Sequence, residues 1–389
     1  MPIKNKLGEL FKKIKEWRHH LHENPELLYD TIKTSAFVEK KLKEFGCDTV
    51  VTGLGRTGVV GVIHGNDLSS GKIIGLRADM DALPLQEKTG LDYASKVPGL
   101  MHACGHDGHT AMLLGAACYL AETRNFNGTA VVIFQPAEEG GGGAKEMIDD
   151  GLMDKFKIQE VYGMHNMPGL DLGLFSIKEG DFFAAADTFS ITVRGKGGHA
   201  AKPQETIDPV LVGSNLVLAL QSIASRNINP IKNVVVSVCT FVSDTDSFNV
   251  IPETVVLKGT VRTFEKGVQK TTKERLNKLS RSIAEGYGAS VEVLYNEGYP
   301  VMTNSAAETA AARDVAKSVS GQNVIPAEKI MGAEDFSFML NSSKGAYILI
   351  GNGDSSGVHS PTYVFNDEVL PLGASFWAEL VETRMRADN

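Results

Sequence analysis

MHACGHDGHTAMLLGAACYLAET, residues 101–123, gathers His102, Cys104, His106, Asp107 and His109 into one short turn and then continues as a helical stretch starting near His106. β-rich runs lie on both sides of it, at 59–64 and 72–80 before and at 129–135 after. Strands that alternate with helices pack as layers, so the reading is an α/β core. Further β-like runs at 161–166 and 346–351 fit the same sheet, and a last helix is expected over about 368–386. At the other end Leu7, Leu10, Phe11, Ile14, Trp17 and Leu21 recur at helical spacing until the Asn24-Pro25 step stops them. A second helix follows from about Thr31 to Phe45, with Gly46 placed for a left-handed cap. The two ends of the chain therefore read as one domain.

The middle has a different texture. A strand at 188–193, a helix over 209–224, strands at 234–241 and 255–264, a helix over 270–286 and a strand at 290–295 give the order β-α-β-β-α-β. That order predicts a ferredoxin-like α+β sandwich inserted into the α/β domain. The expected borders put 1–184 and 298–389 in the first domain and 185–297 in the second.

Composition agrees with this division. A chain of 389 residues with 42% hydrophobic content exceeds what one core usually holds. The net charge of −8 gives no electrostatic footprint for nucleic acid or an anionic membrane, so a small-molecule or protein partner is expected. The first residues lead into an amphipathic pattern, and no stretch approaches the roughly 18 apolar residues of a membrane span, which predicts a cytoplasmic protein. Cys47, Cys104, Cys118 and Cys239 are too few and scattered for a disulfide framework. Three of them read as buried small hydrophobes, and Cys104 stands apart.

Cys104 stands apart because of its company. A thiolate beside imidazoles is a borderline-soft donor set, suited to zinc and its first-row neighbours. The second cluster, QPAEEGGGG at 135–143, comes straight off an apolar strand. If that segment is extended, Glu138 and Glu139 point to opposite sides, one to a metal and one to a reacting water. The plainer reading is a solvated acidic turn, but the carboxyl end of a strand is where open α/β sheets place their sites. His165 in YGMHNMPG and His359 in GVHSPTY supply distant donors at loop-like positions. Asp79 and Asp81 in GLRADMDALP read as supports that hydrogen-bond the histidines, with direct ligation left open. His19, His20 and His22 read as packed or solvated, and Glu334 and Asp335 either as site-lining groups or as an acidic pair at a helix start.

MHACGHDGHT, FQPAEEGGGGA and GKGGHAAKP, in this order and with RHHLHENPEL upstream, resemble the metallo-amidohydrolases. That group includes hippurate hydrolases, N-acyl-amino-acid deacylases, N-acetyldiaminopimelate deacetylases and plant auxin-conjugate hydrolases. The similarity spans essentially the whole chain and lies nearest the bacterial hippurate hydrolases. It implies a zinc-peptidase-like catalytic domain with an inserted lid and dimerisation domain, hence a homodimer or higher homo-oligomer. It implies two divalent metal ions per subunit, zinc or else manganese, nickel or cobalt. Cys104 would bridge them, with His106 and His165 on one and Glu139 and His359 on the other. Glu138 would be the general base, and His199 in GKGGHAAKP would reach a neighbouring subunit's site. Asn249 in FNVIPE and Arg262 in GTVRTF would bind the substrate carboxylate. The wider superfamily has a bridging Asp and an HxD ligand motif; here Cys104 and the Asp79/Asp81 pair stand in those places, which leaves the metal open.

The implied reaction is hydrolysis of the amide bond of N-acyl amino acids. Competing readings are a dipeptidase or carboxypeptidase with the same metals, an N-acetyldiaminopimelate deacetylase, a metal-dependent binding protein without catalysis, and a thiol redox protein built on Cys104.

Overall fold

The computed structural model describes residues 3–386. The chain forms two compact units. The first runs to Phe182 and resumes over Thr303–Glu328 and from Asp335 onward. Its centre is an eight-stranded sheet in the order Thr49–Leu54, Gly58–His64, Thr129–Gln135, Ile73–Asp79, Glu160–Met167, Lys344–Gly351, Phe175–Ile177, Val324–Pro326. The four strands Thr129–Gln135, Ile73–Asp79, Glu160–Met167 and Lys344–Gly351 are mutually parallel. They read as near-continuous apolar runs because a parallel sheet is covered on both faces.

Helices Ile3–Glu23, His106–Thr123 and Leu370–Arg384 pack against one another. His106–Thr123 is buried along almost its whole length, which explains a composition that is apolar all round. Gly105, at φ +92° directly before it, turns the donor-rich segment into the helix; a Cβ there would come within 2.2 Å of Asn166 Oδ1. Helix Ile32–Phe45 ends on Gly46 in the left-handed conformation, as expected from the sequence.

The second unit comprises Phe183–Met302 and Lys329–Glu334. Its sheet has the order Val234–Ser243, Thr254–Thr263, Ala185–Arg194, Ser290–Tyr299, with every neighbouring pair antiparallel. Helices Pro209–Ser222 and Lys266–Gly286 join its core through Val212, Leu216, Leu220, Leu276 and Ala284. Asp208 caps the first of these, accepting from Val210 N at 2.8 Å, with Pro209 opening the helix. This is the ferredoxin-like order of elements. The unit extends past the expected limits of 185 and 297. Ser290–Tyr299 runs on beyond Glu297, and Ala184 N donates to the carbonyls of Ile330 and Gly332, which draws 329–334 into the unit.

Helix His106–Thr123 meets helix Ile3–Glu23 through Gly115, where a Cβ would stand 2.6 Å from Ile14 Cδ1. Gly115→Leu should therefore overpack the joint and cost about 1–3 kcal/mol. Its thermal unfolding midpoint should fall below that of the parent, and an unchanged midpoint would contradict this account of the packing.

Candidate metal centre

The carboxyl ends of the parallel strands lie where the sequence puts its donors. Ile73–Asp79 ends in Asp79 and is followed by Asp81, Thr129–Gln135 leads to Glu138 and Glu139, and Glu160–Met167 carries His165. Cys104 and His106 arrive from the turn and first residue of helix His106–Thr123. His359 follows Lys344–Gly351 in a loop, held at φ +64° with its backbone N–H donating to Ala103 O at 2.7 Å. Backbone strain of this kind persists where surrounding contacts over-determine it.

These residues converge. Donor atoms of Cys104, His106 and His165 lie within 4.8 Å of one another, as do those of Cys104, Glu139 and His359 and those of His106, Glu138 and Glu139. Cys104 Sγ is 3.3 Å from His165 Nε2, and Glu139 Oε1 is 3.2 Å from His359 Nε2 and 3.9 Å from His106 Nε2. Sequence reasoning treated Glu138 and Glu139 as part of an extended segment facing opposite ways. The structure corrects this: they sit in a turn, because Ala137 takes φ +54° and the glycines that follow let the chain fold back. A Cβ at Gly143 would collide with Pro136 O at 1.7 Å.

Each histidine presents one nitrogen and spends the other. His106 Nδ1–H donates to Asp81 O at 2.8 Å, and His165 Nδ1–H donates to Asn166 O at 2.6 Å. This leaves both Nε2 atoms facing the cluster, the arrangement that fixes the tautomer of a metal-binding imidazole. The Asp81 carboxylate accepts from Glu138 N at 3.0 Å and Glu139 N at 3.1 Å, so it shapes the acidic turn. Asp79 accepts from Arg77 Nη1 at 2.7 Å and from His109 Nδ1 at 2.6 Å, and lies 3.8 Å from His106 Nε2.

His106 Nε2 is buried and makes no hydrogen bond, and Glu139 Oε1 beside it is met by the His359 imidazole at 3.2 Å. Buried polar atoms ordinarily find partners, so the free nitrogen marks a place for a cation. The electrostatics point the same way. Burial pushes the Cys104 thiol up to about 12 and the His165 imidazole down to about 3. Burial also opposes charge on His106, yet the Asp79 carboxylate beside it holds that imidazole well above its usual value. A divalent cation would take the thiolate and the neutral imidazoles as ligands, and the donor set of one sulfur, three imidazoles and carboxylate fits it.

Other expectations fall out as follows. Asp335 stands directly before helix Phe336–Ser342, one of the two readings of its sequence, and is buried, accepting from Arg77 Nη2 at 3.0 Å, Gln135 Nε2 and Ala144 N. His22 is packed, with Nδ1 2.8 Å from Asp107 Oδ2, and Arg18 donates to the same oxygen at 2.8 Å. This gives the RHHLHENPEL segment a structural task that its sequence alone did not reveal, anchoring the first helix to the residue after His106. Cys239 is exposed on a strand, which corrects its reading as a buried hydrophobe, while Cys47 and Cys118 are half-buried. In the second unit, His199 is exposed on the two-residue strand Gly198–His199, paired with Val250–Ile251. Asn249 lies beside it, its backbone O accepting from Ala200 N at 3.0 Å. Arg262 is half-buried in Thr254–Thr263, opposite Val235 and Ala186, and its side chain makes no hydrogen bond or salt bridge among the described residues, the Asp187 carboxylate acting on its charge. The sequence gives no sign of Asn166 and Arg77, and it places His109 among the donors of the turn without a role, since no local signal separates a supporting histidine from a ligand.

Comparison with known proteins places this geometry. The chain is 45% identical over 372 residues to hippurate hydrolase of Campylobacter jejuni, covering 95% of each. It is 41% identical to an N-acetyl-L-cysteine deacetylase of Bacillus subtilis, covering 95% of this chain and 88% of that protein. A crystal structure from Bacillus subtilis, described as a dinuclear metal-binding peptidase of the M20 family, superposes with a TM-score of 0.84 at 32% identity, covering 98% of this chain and 99% of that one. The model of peptidase family M20/M25/M40 matches residues 75–383, which include both acidic turns, the donor-rich helix start and every residue of the cluster. The chain belongs to peptidase family M20/M25/M40.

Proposed function

We propose that the protein is a metal-dependent amidohydrolase that splits N-acyl-L-amino acids into a carboxylic acid and a free amino acid. The observation that carries this reading is the cluster of Cys104, His106, Glu139, His165 and His359, with His106 Nε2 making no hydrogen bond, Glu139 Oε1 3.2 Å from His359 Nε2 and Glu138 beside them. Two divalent ions would be held with Cys104 between them, His106 and His165 on one side and Glu139 and His359 on the other. Zinc, manganese, nickel and cobalt all suit these donors. Asp79 and Asp81 act as supports in this reading, since each is engaged by protein groups behind the cluster.

Metal ions, when bound, supply Lewis-acid activation of water and polarisation of the scissile carbonyl. Glu138 takes a proton from the attacking water and passes it to the amide nitrogen as the C–N bond breaks. His199, contributed by a neighbouring subunit, donates to the carbonyl oxygen as that oxygen gains charge. Arg262 and Asn249 hold the free α-carboxylate, the guanidinium fork giving two parallel hydrogen bonds. The half-buried Arg262 side chain, without a hydrogen bond or salt bridge among the described residues, supports that role.

A homodimer or higher homo-oligomer through the inserted domain is part of the same proposal. Val234–Ser243 is the outer strand of its sheet, with Phe241 and Val242 exposed, and helix Pro209–Ser222 leaves Leu211 and Leu218 in solvent. Uncovered edge strands and apolar faces of this kind are surfaces that association buries. A cytoplasmic location suits a site that depends on a reduced thiol. No helix among the described residues is long and apolar enough to cross a membrane.

Glu138→Gln should bind metal like the parent while turnover drops by about 100- to 10,000-fold; metal analysis and a hippurate assay on the same sample decide it, and retained turnover refutes the general-base role. Assayed together, hippurate, N-acetyl amino acids and dipeptides should show preference for the first two. Cleavage confined to dipeptides would support the dipeptidase reading. His199→Ala should lose about 100- to 1000-fold in rate, and mixing it with Glu138→Gln subunits should recover activity. Confirmed subunit exchange without recovery would remove His199 from the neighbour's site.

A further inference from the structure

His109 is buried beside the cluster and has no part in the proposed mechanism. Its ring centre lies 5.5 Å from that of His106 and 4.6 Å from that of His165, which are 6.1 Å from each other, so the three rings form a triangle with His109 packed against both. Asp79, His106 and His109 bring donor atoms within 4.8 Å of one another, which by itself would allow a third ligand group. The hydrogen bonds argue otherwise. His109 Nδ1 is 2.6 Å from Asp79 Oδ1, while Nε2 is 2.8 Å from Asn166 Oδ1 and 3.0 Å from Asn166 N. Both nitrogens are engaged by protein, whereas His106 Nε2 has no hydrogen-bond partner.

The two groups that hold His109 are themselves held. Asp79 is fixed by Arg77, whose other donors go to Gln135 Oε1 at 2.8 Å and Asp335 Oδ1 at 3.0 Å, and its backbone O accepts from Thr110 Oγ1 at 2.8 Å. Asn166 reaches Tyr363 OH at 2.5 Å with its amide and takes the His165 Nδ1–H with its backbone oxygen. A continuous buried chain thus runs from Arg77 and Asp79 on one parallel strand, through His109 on the helix, to Asn166 and His165 on the next.

We propose that His109 is a positioning residue, a strut that sets the spacing between the His106 and His165 donors and so the affinity of the site for its ions. The proposal rests on the metal reading above. Removing the strut leaves Asp79 Oδ1 and the Asn166 amide short of a partner in an apolar interior, and lets the His165 ring turn away from Cys104. Partners of this kind behind metal ligands typically change metal affinity by about 10- to 100-fold.

The test compares the parent, His109→Phe and His109→Gln after chelation, each titrated with Mn²⁺ and Zn²⁺ by calorimetry, with far-ultraviolet circular dichroism and thermal unfolding on the same metal-free samples. His109→Phe keeps the bulk and loses both hydrogen bonds, so it should fold and bind metal about 10- to 100-fold more weakly. His109→Gln can still reach one partner and should recover part of that loss. A folded His109→Phe that binds as tightly as the parent overturns the proposal, as does a His109→Phe that is merely less heat-stable with unaltered affinity. Should His109→Phe fail to fold, His109→Gln decides alone: several-fold weaker binding supports the strut and parental binding overturns it. A parent protein that binds neither ion overturns the metal reading itself, a result distinct from equal binding by parent and variants.

Discussion

His106 Nε2 and Glu139 Oε1 face each other at 3.9 Å inside the protein; the first makes no hydrogen bond, and the second is met by the His359 imidazole at 3.2 Å. Leaving a buried polar atom unsatisfied typically costs about 1–3 kcal/mol, so folding alone would select against the arrangement. The surroundings nonetheless enforce it. Asp81 O takes the far nitrogen of His106, the Asp81 carboxylate takes the backbone of both glutamates, and Ala137 is kept in the left-handed region to make the turn. Several independent contacts thus hold an unsatisfied imidazole nitrogen against a carboxylate in place, which is what a preorganised cation site requires and a core does not.

The sheet explains how such a site is affordable to the fold. Parallel strands covered on both faces give a rigid frame, and their carboxyl ends open where no covering helix continues. Asp79, the Glu138–Glu139 turn and His165 all leave the frame at that edge. The loss of hydrogen bonding there is offset by a large apolar interior that includes Phe134, Tyr162, Phe175 and Trp377. Electrostatic strain is concentrated in a few residues and the stabilising burial is spread over many.

Much of this was legible in the sequence because donor chemistry is sparse. A cysteine, two glutamates and three histidines that do not fit apolar periodicity stand out residue by residue, and so do alternating strands and helices. The ferredoxin-like order in the middle could be read from element order alone, and the described sheet pairs accordingly. What could not be read depends on partners remote in the chain. Arg77 looks like an ordinary polar residue in a strand until it meets Asp335, 258 positions later. Asp107 could be taken for a helix-start acid until Arg18 and His22 reach it from the first helix. Glu138 and Glu139 were misjudged for a local reason: alternation holds in extended chain, and the turn comes from a left-handed alanine, which sequence rarely announces. Helix Ala306–Ser320 escaped notice because its alanine-rich face carries a weak apolar stripe, although Gly321 closes it in the expected left-handed conformation.

The two units also differ in what they leave unsatisfied. In the first, the buried side-chain atoms without a hydrogen bond include both nitrogens of His102, Asp107 Oδ1 and His106 Nε2. In the second, the Arg262 guanidinium is half-buried and its side chain makes no hydrogen bond or salt bridge among the described residues; burial lowers its pKa and the Asp187 carboxylate pulls the other way. A cation kept in that state gains most from an anion brought by a ligand, and a planar fork gains more from a carboxylate than from a single oxygen.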